Sequence, residues 1–382
     1  MRMRLAPSIL LAPLLAACSA LRPAPHLRPD SEHDNGWERA ADLLHVELDL
    51  ELDFDERCVH GRALHRFRGL VDGTRSLRLH AEGFPIQAVQ DAGGRALVFR
   101  QDAPWLSIDL AEPLAAGAEV EVHVWYSAKP ERGLYFFESS KHAEGFAPQI
   151  WSQGQPEDHH FWFPTWDHPN DRATYAAHLR AAHELVVVSN GTLVSVDQHE
   201  GGEHTYHWKL EREIPTYLIA VAAGRFERYE DIWRGIPVEY WVGPGSGEER
   251  ARRAFGETPQ MLEYFSTLLD LPYPFERYAQ AAVTDFSYGG MENATLTIEN
   301  DYVLDTPEEI ADREGDDRLL IAHELAHHWF GDLVTCISWS HLWLNEAWAS
   351  YLELAFEAHM AGRPSMQLWL ERYRETYLAH EG

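Results

Sequence analysis

The stretch HELAHHWFGD, at positions 323–332, carries two histidines four residues apart with a glutamate directly after the first. On a helix, side chains at positions i and i+4 lie on one face, so His323 and His327 can share a cation. Glu324 lies at the flank of that pair, where its carboxylate could accept a proton from a water on the cation. His328 points about 100° away from His327 on a regular helix, so we interpret it as a solvated or core histidine.

A third candidate ligand follows on a second predicted helix, which begins near Trp339 and ends at Gly362, before Arg-Pro. Glu346 lies there among apolar neighbours, where an unpaired carboxylate is costly and a cation would offset that cost. If the two helices pack antiparallel, two histidines and one carboxylate leave a fourth position open to water. That is the ligand set of a catalytic zinc site. The alternative is that Glu346 is a solvated helix carboxylate.

The composition limits the classes of function. With 32 basic against 61 acidic residues, the net charge of −29 repels nucleic acid and favours cationic ligands. A hydrophobic content of 45% and a charged content of 24% are typical of a globular protein. A chain of 382 residues is longer than a chain that usually folds around one hydrophobic core, so we expect two domains.

The pattern of the first part of the chain predicts strands. Apolar and polar residues alternate in LLHVELDLELDF, from Leu43 to Phe54, as in a half-buried strand. Similar runs follow, and we predict an N-terminal all-β domain of saddle or sandwich type over residues 37–227. Helical segments dominate afterwards, which predicts a mixed α/β domain over residues 228–382. Its first helix should begin with the capping box at residues 246–249 and end near Leu269.

The N-terminus resembles an export signal. Residues 1–17 combine a basic start with an apolar run that is too short to span a bilayer. The run ends in Leu-Ala-Ala before Cys18, which resembles the lipobox of bacterial lipoproteins. We therefore predict a lipidated Cys18, a tether over residues 18–36, and membrane anchoring in a bacterial cell envelope, on the periplasmic side or the surface. The alternative is a plain signal peptide. Cys58 and Cys336 are predicted to be free thiols.

Together, HELAHHWFGDLVT and the downstream WLNEAWASY resemble the zinc aminopeptidases of the aminopeptidase N type, the gluzincin group that includes the leukotriene hydrolase branch. The resemblance implies a thermolysin-like fold for the second domain. It implies that His323, His327 and Glu346 bind one zinc ion per chain and that Glu324 is the general base. Its implied substrates are peptides with a free N-terminus, from which the first residue is removed.

Two further stretches carry the resemblance. YGGMEN, from Tyr288, resembles the exopeptidase signature of the family, in the double-Gly form of the leukotriene hydrolase branch. Its glycines let backbone approach a substrate, and a glutamate can bind a free α-ammonium group. SQGQPEDHHFWFPTWDHP, at positions 152–169, resembles the segment that carries a second contact to that group. The implied substrate-binding residues are Gln153, Gln155, Gly289, Gly290, Met291, Glu292 and Asn293.

Taken alone, the first of these stretches is also typical of an ordinary Gly-rich turn, and the second is typical of a polar loop. We further expect the strand at residues 294–300 to pair with the substrate backbone.

The chain also departs from the family. His328, Asp332 and Ala347-Trp348 stand where Gln, Asn and Gly-Phe are usual, and none of these changes removes a ligand. The family's oxyanion-stabilising Tyr would follow about sixty residues after the third ligand, so we interpret the chain as C-terminally truncated. Tyr373 and Tyr377 come too early and on another helix. Beside a zinc aminopeptidase, two alternatives stay open: a catalytically weak or inactive peptide-binding lipoprotein of the same fold, and an endopeptidase of the same zinc class, against which Glu292 argues because an endopeptidase needs no ammonium anchor.

Overall fold

The structure is a computed structural model that describes residues 39–137, 147–306 and 317–381. The predicted export signal, Cys18 and the tether therefore lie outside the described residues. Among the helices that the structure describes, none is both long and apolar enough to cross a membrane.

The described strands up to Gly224 build three sheets. Their bounds are β1 Ala41–Asp53, β2 Cys58–Gly69, β3 Thr74–His80, β4 Ile86–Asp91, β5 Val98–Asp102, β6 Trp105–Leu114, β7 Glu119–Ala128, β8 Leu134–Phe137, β9 Gln149–Ser152, β10 Ala173–Ala182, β11 Val186–Ser189, β12 Thr192–Gln198, β13 Glu203–Ile214 and β14 Val221–Gly224. The strand orders are β12-β13-β10-β1-β2-β7-β4, β11-β14-β9-β8 and β3-β6-β5.

Strand β1 lies at the centre of the largest sheet. It pairs antiparallel with β2 and parallel with β10, so Leu48 faces Ala63 on one side and Ala177 on the other. Val46 and Leu48 are fully buried in the core, whereas Asp49 is exposed on the opposite face. The predicted alternation and the all-β character of this part are confirmed, while its boundary at residue 227 stays a prediction.

The remaining described strands form a five-stranded sheet covered by helices. The strands are β15 Glu227–Trp233, β16 Ile236–Val242, β17 Tyr278–Val283, β18 Gly290–Met291 and β19 Leu296–Asn300, in the order β15-β16-β17-β19-β18. The α-helices are α1 Gly247–Phe255, α2 Thr258–Leu268, α3 Asp317–Ala326, α4 Trp343–Met360 and α5 Arg363–Glu381. Short 3₁₀-helices span His159–Phe161, Thr216–Leu218, Asp301–Leu304 and Trp339–His341. This is the mixed α/β architecture that the sequence predicts.

The prediction of one helix from the capping box to Leu269 is wrong. The chain forms two helices, α1 and α2, which are separated at Gly256 and Glu257. The side chain of Ser246 makes no capping hydrogen bond. Pro259 lies in the first turn of α2, where its missing N–H and fixed φ suit a helix start. The apolar pattern alone predicts one continuous helix, whereas in the structure a new helix begins with the proline in its first turn.

The expectation that the strand at residues 294–300 pairs with a substrate is also wrong. It forms β19, which is hydrogen-bonded to β17 on one side and to β18 on the other. A strand has only two edges for main-chain pairing, and both are used. The edge of the sheet on this side belongs to β18, the strand of Gly290 and Met291, and the opposite edge belongs to β15.

Helices α3 and α4 pack antiparallel, as the sequence analysis assumed. Arg318 near the start of α3 contacts Glu357 near the end of α4, at 3.4 Å between Nη1 and Oε2. At the other end of α3, His327 Nε2 lies 3.5 Å from Oε2 of Glu346 in the first turn of α4. This packing brings the two ends that carry the candidate ligands together.

Candidate metal centre and peptide-binding site

The three candidate zinc ligands converge. His323 lies on α3, and His327 continues its last turn because its N–H donates to the His323 carbonyl at 3.3 Å. The Nε2 atoms of the two imidazoles are 3.1 Å apart, and Oε2 of Glu346 lies 3.2 Å from that of His323. Donor atoms on a tetrahedral zinc are about 3.4 Å apart, given bonds of about 2.0–2.2 Å. The arrangement of these side chains therefore fits a zinc ion.

The other nitrogen of each imidazole has a fixed acceptor. His323 Nδ1 lies 2.7 Å from Oε2 of Glu353, and His327 Nδ1 lies 3.0 Å from the Phe330 carbonyl oxygen. A histidine that binds a metal through Nε2 commonly donates its Nδ1–H in this way, which sets its tautomer and its orientation. Both rings are therefore held with Nε2 directed at the common centre.

Sequence reasoning missed Glu353, although one signal was available. It follows Glu346 by two helical turns, so both carboxylates lie on one face of α4. Glu353 is 3% exposed, which is uncommon for a carboxylate without a partner. The Tyr373 hydroxyl of α5, to which the sequence analysis assigned no role, donates to the second oxygen of Glu353. Tyr373 thus connects α5 to the support of His323.

The electrostatics of the cluster favour an ionised third ligand. Burial opposes the negative charge of Glu346, but hydrogen bonds with His323 and His327 outweigh it and lower the pKa of this carboxylate. Burial likewise opposes a charge on His323, but Glu346 and Glu353 outweigh it and raise the pKa of the imidazole. Opposite charges thus stabilise one another here, and Glu346 is in the form that can bind a cation.

Glu324 lies between this cluster and the edge strand β18. It is 5% exposed, and burial raises the pKa of its carboxylate to about 7, against the opposing effect of His323 and His327. A Cβ on Gly290 would lie 2.6 Å from the carboxylate carbon of Glu324, so the glycine allows the carboxylate to approach the strand. A carboxylate that titrates near neutral pH is suited to exchange protons with a reacting group.

Several buried side-chain atoms of the predicted substrate-binding residues lack a hydrogen-bond partner within the described part of the chain. Glu292 is 3% exposed, and burial raises the pKa of its carboxylate. A donor atom of Glu292 lies within 4.8 Å of donors from Glu324 and His327. Among the described residues, no hydrogen bond satisfies Glu292 Oε1, Gln153 Oε1, Gln155 Nε2 or Asn293 Oδ1. Buried polar atoms are normally paired, so the three oxygens among these atoms suit a donor such as an ammonium group, whereas the Gln155 amide nitrogen could only donate to an acceptor.

The segment of Gln153 and Gln155 directly follows β9 and is attached to the part of the chain that carries the metal cluster. Trp151 Nε1 donates to the Thr284 carbonyl at 3.2 Å, and Trp339 Nε1 donates to Glu157 Oε1 at 2.9 Å. Trp339 begins the 3₁₀-helix that precedes α4. Neither glutamine hydrogen-bonds Glu292 in the part of the chain that the structure describes, so their roles as substrate contacts stay predictions.

His328 belongs to the core. It is fully buried, its Nε2 accepts a hydrogen bond from the Thr295 N–H at 3.2 Å, and its ring packs against Tyr273 and Tyr278. The interpretation of His328 as a core histidine outside the ligand set is confirmed.

His328→Gln should reduce the sensitivity of the protein to acid. Burial lowers the pKa of His328 to about 3, below the value of about 6.5 in an unfolded chain. Its contribution to stability is complete above pH 6.5 and is lost as the pH falls towards 3. The free energy of unfolding of the wild type should therefore fall by about 1.4 kcal/mol per pH unit more steeply than that of the variant below pH 6.5.

Urea unfolding at pH 7, 6 and 5 measures this difference. His183→Gln is a matched control, since the His183 side chain is 68% exposed, and its unfolding should follow the wild type at each pH. Parallel pH dependence of His328→Gln and the wild type would contradict the prediction.

Comparison with known proteins gives one consistent family. Residues 253–381 match the model described as "Peptidase family M1 domain", and residues 42–218 match "Peptidase M1 N-terminal domain". Leucine aminopeptidase 2 of Coccidioides immitis is 29% identical over 333 residues, which are 84% of this chain and 52% of that protein. Aminopeptidase M1 of Arabidopsis thaliana is 33% identical over 53% of this chain and 23% of that protein. The chain spans about half the length of the leucine aminopeptidases that it matches.

The fold is shared with a solved structure. A crystal structure of a mutant M1 zinc metallopeptidase from Deinococcus radiodurans, bound to a Tyr-Ser-Ala substrate, matches with a TM-score of 0.72. The match covers 88% of this chain and 75% of that chain, at 24% sequence identity.

Proposed function

Because the chain belongs to peptidase family M1, we propose that it acts as a zinc-dependent aminopeptidase, which removes the N-terminal residue from peptides. The observation that carries this proposal is the convergence of His323, His327 and Glu346 beside the buried carboxylates of Glu324 and Glu292. This ligand set has an open fourth position, as catalytic zinc sites do. One zinc ion per chain at this centre is part of the proposal.

Each side chain of the site has a separate task in this mechanism. The zinc ion, when bound, supplies Lewis acidity that polarises a carbonyl group and activates a water. Glu324 accepts a proton from the attacking water and delivers it to the leaving amine, for which a pKa of about 7 is suitable. Glu292 pairs with the α-ammonium group of the substrate, which limits cleavage to the first peptide bond.

Other parts of the site hold the substrate. The open edge of β18, at Gly290 and Met291, offers backbone groups to an extended peptide by strand addition. Gln153 and Gln155 supply additional polar contacts to the α-ammonium region in this proposal. Two observations support this: Glu157 of the same segment accepts a hydrogen bond from Trp339, which precedes α4, and both glutamines have an unpaired side-chain atom in the described part of the chain.

The proposed location rests on the N-terminal sequence alone. We propose that Cys18 is lipidated and anchors the protein to a membrane of the bacterial cell envelope, with residues 18–36 as a tether. Mass spectrometry of the mature N-terminus tests this proposal. A diacylglyceryl group on Cys18 is the expected result, and an unmodified N-terminus at a later residue would contradict it.

The requirement for a free N-terminus tests the aminopeptidase proposal. Peptides with a free α-amino group should be cleaved, and the same peptides with an acetylated N-terminus should lose about 30-fold or more in kcat/KM. The reason is that acetylation removes the charged partner of the buried Glu292, and a lost charge pair of this kind costs about 2–5 kcal/mol.

Glu292→Gln is the matched variant for this experiment. It should lose activity towards the free peptide and should discriminate much less between the two peptides. Equal cleavage of both peptides by the wild type would indicate an endopeptidase. Binding of free peptides without cleavage of either, in a protein that holds zinc, would favour the inactive peptide-binding lipoprotein.

A further inference from the structure

A second group of metal-binding side chain types lies at the turn between β1 and β2, in the N-terminal β part of the chain. Asp53 is the last residue of β1, and Cys58 is the first residue of β2 and lies directly opposite it. His60 follows two residues after Cys58 and therefore projects from the same face of the strand. One donor atom from each of the three side chains lies within 4.8 Å of the others.

The donor atoms are close to the spacing that a metal ion requires. Cys58 Sγ lies 2.8 Å from His60 Nε2. On a tetrahedral zinc these two atoms are about 3.5 Å apart, given a Zn–S bond of about 2.3 Å and a Zn–N bond of about 2.0 Å. Cys58 is 1% exposed, whereas His60 is exposed and borders an open cavity of about 330 Å³. The imidazole can therefore move outward by the required amount of about 0.7 Å.

His60 and Asp53 each have a second contact that orients them. His60 Nδ1 lies 2.7 Å from Oγ of Ser127, its partner on the neighbouring strand β7. If Nδ1–H donates to this hydroxyl, Nε2 carries the lone pair that faces Cys58, which is the tautomer of a metal-binding histidine. Oδ1 of Asp53 accepts a hydrogen bond from the Glu56 N–H at 2.9 Å, which fixes the orientation of the carboxylate.

The donor types indicate the class of metal. Thiolate and imidazole favour zinc and similar borderline cations, whereas magnesium and calcium prefer sites made of oxygen alone. The net charge of −29 attracts cations to the surface. We propose that Asp53, Cys58 and His60 bind one zinc ion, with a fourth position open to water. On binding, the Cys58 S–H bond breaks, the proton leaves to solvent, and a Zn–S bond forms.

This second site adds a metal ion to that of the catalytic centre, and it does not depend on the proposed activity. Because it joins the end of β1 to the start of β2, the ion closes the hairpin at its turn. Metal binding to the folded state alone also stabilises that state.

Cobalt substitution in the full chain tests the second site. A thiolate bound to Co²⁺ gives an intense charge-transfer absorption in the near ultraviolet, and the catalytic ligand set contains no sulfur. The wild type should bind about two Co²⁺ ions per chain and show this band, because the structure offers separate ligand sets for each ion. His323→Ala should lose about one ion and keep the band.

Variants of the hairpin site should lose the thiolate band, which the His323→Ala variant keeps. Cys58→Ser should lose the band and about one Co²⁺ ion per chain, and Ser127→Ala should weaken binding at this site about 10- to 100-fold. His60→Ala changes an exposed residue and should also lose the band, which covers the case in which Cys58→Ser fails to fold. Cys336→Ser is the thiol control and should keep the band.

The proposal is overturned if the wild type binds only one Co²⁺ ion and shows no thiolate band, in which case Cys58 and His60 share only a hydrogen bond. A band that persists in folded Cys58→Ser or His60→Ala would equally reject this ligand set.

Discussion

Glu324→Gln is expected to lower the turnover of peptide substrates by about 10²–10⁴-fold while the protein keeps its zinc. Glutamine has nearly the same shape as glutamate, so the packing against Gly290 is preserved. Its amide cannot accept the proton of the attacking water, and therefore the proton transfer step is lost. Steady-state kinetics on a peptide with a free N-terminus measures turnover, and atomic absorption measures the zinc content.

Glu299→Gln is a matched control for this experiment. Glu299 is a fully buried glutamate on β19, opposite Gly290 of β18, and it lies outside the proposed machinery. Burial raises the pKa of its carboxylate well above the usual value, so the uncharged amide of glutamine replaces a carboxyl group whose charge burial already disfavours. This variant should keep its turnover. If the Glu324→Gln protein binds zinc and retains most of its turnover, Glu324 is not the general base.

His323→Ala is expected to reduce the zinc content of the catalytic centre to near zero. The change removes one of three ligands and leaves Glu346 and Glu353 without the imidazole that both contact. Glu353→Gln should have a smaller effect, because the ligand remains and only the acceptor of its Nδ1–H is weakened. Loss of such an outer contact typically lowers metal affinity about 10- to 100-fold. Competition with a chromophoric chelator measures both affinities.

His328→Gln is the control for zinc binding, since this neighbouring histidine faces Tyr273 and Tyr278 in the core and should leave the zinc affinity unchanged. If the His323→Ala variant still binds zinc at full occupancy, His323 is not a zinc ligand and the assignment of the metal centre is wrong. An unchanged affinity in Glu353→Gln would show that Glu353 does not position the ligand.

Local periodicity was sufficient for much of the fold. The alternation along β1 predicted which side chains are buried, because neighbouring residues in a strand point to opposite faces. The spacing of His323 and His327 predicted a shared face, because the helix repeats after about 3.6 residues. Both rules concern residues that are close in sequence, so no distant contact was needed to apply them.

Predictions that depended on distant contacts were less successful. The pattern of residues 294–300 predicts a strand but does not show whether other strands pair with it. The sheet order shows that β18 lies on one side of it and β17 on the other. The break between α1 and α2 coincides with Pro259 in the first turn of α2, although the apolar pattern continues through it.

The sequence by itself determined the chemical types of the site: two histidines one turn apart and the three carboxylates of Glu324, Glu346 and Glu292. Their convergence needed tertiary structure, because α3 and α4 bring Glu346 and Glu353 to His323 only by packing antiparallel. The same holds for Asp53, whose approach to Cys58 depends on the register of β1 against β2, whereas His60 follows Cys58 by two residues on the same strand. Side-chain chemistry is a property of single residues, whereas the distances that make a metal site are set by contacts between elements.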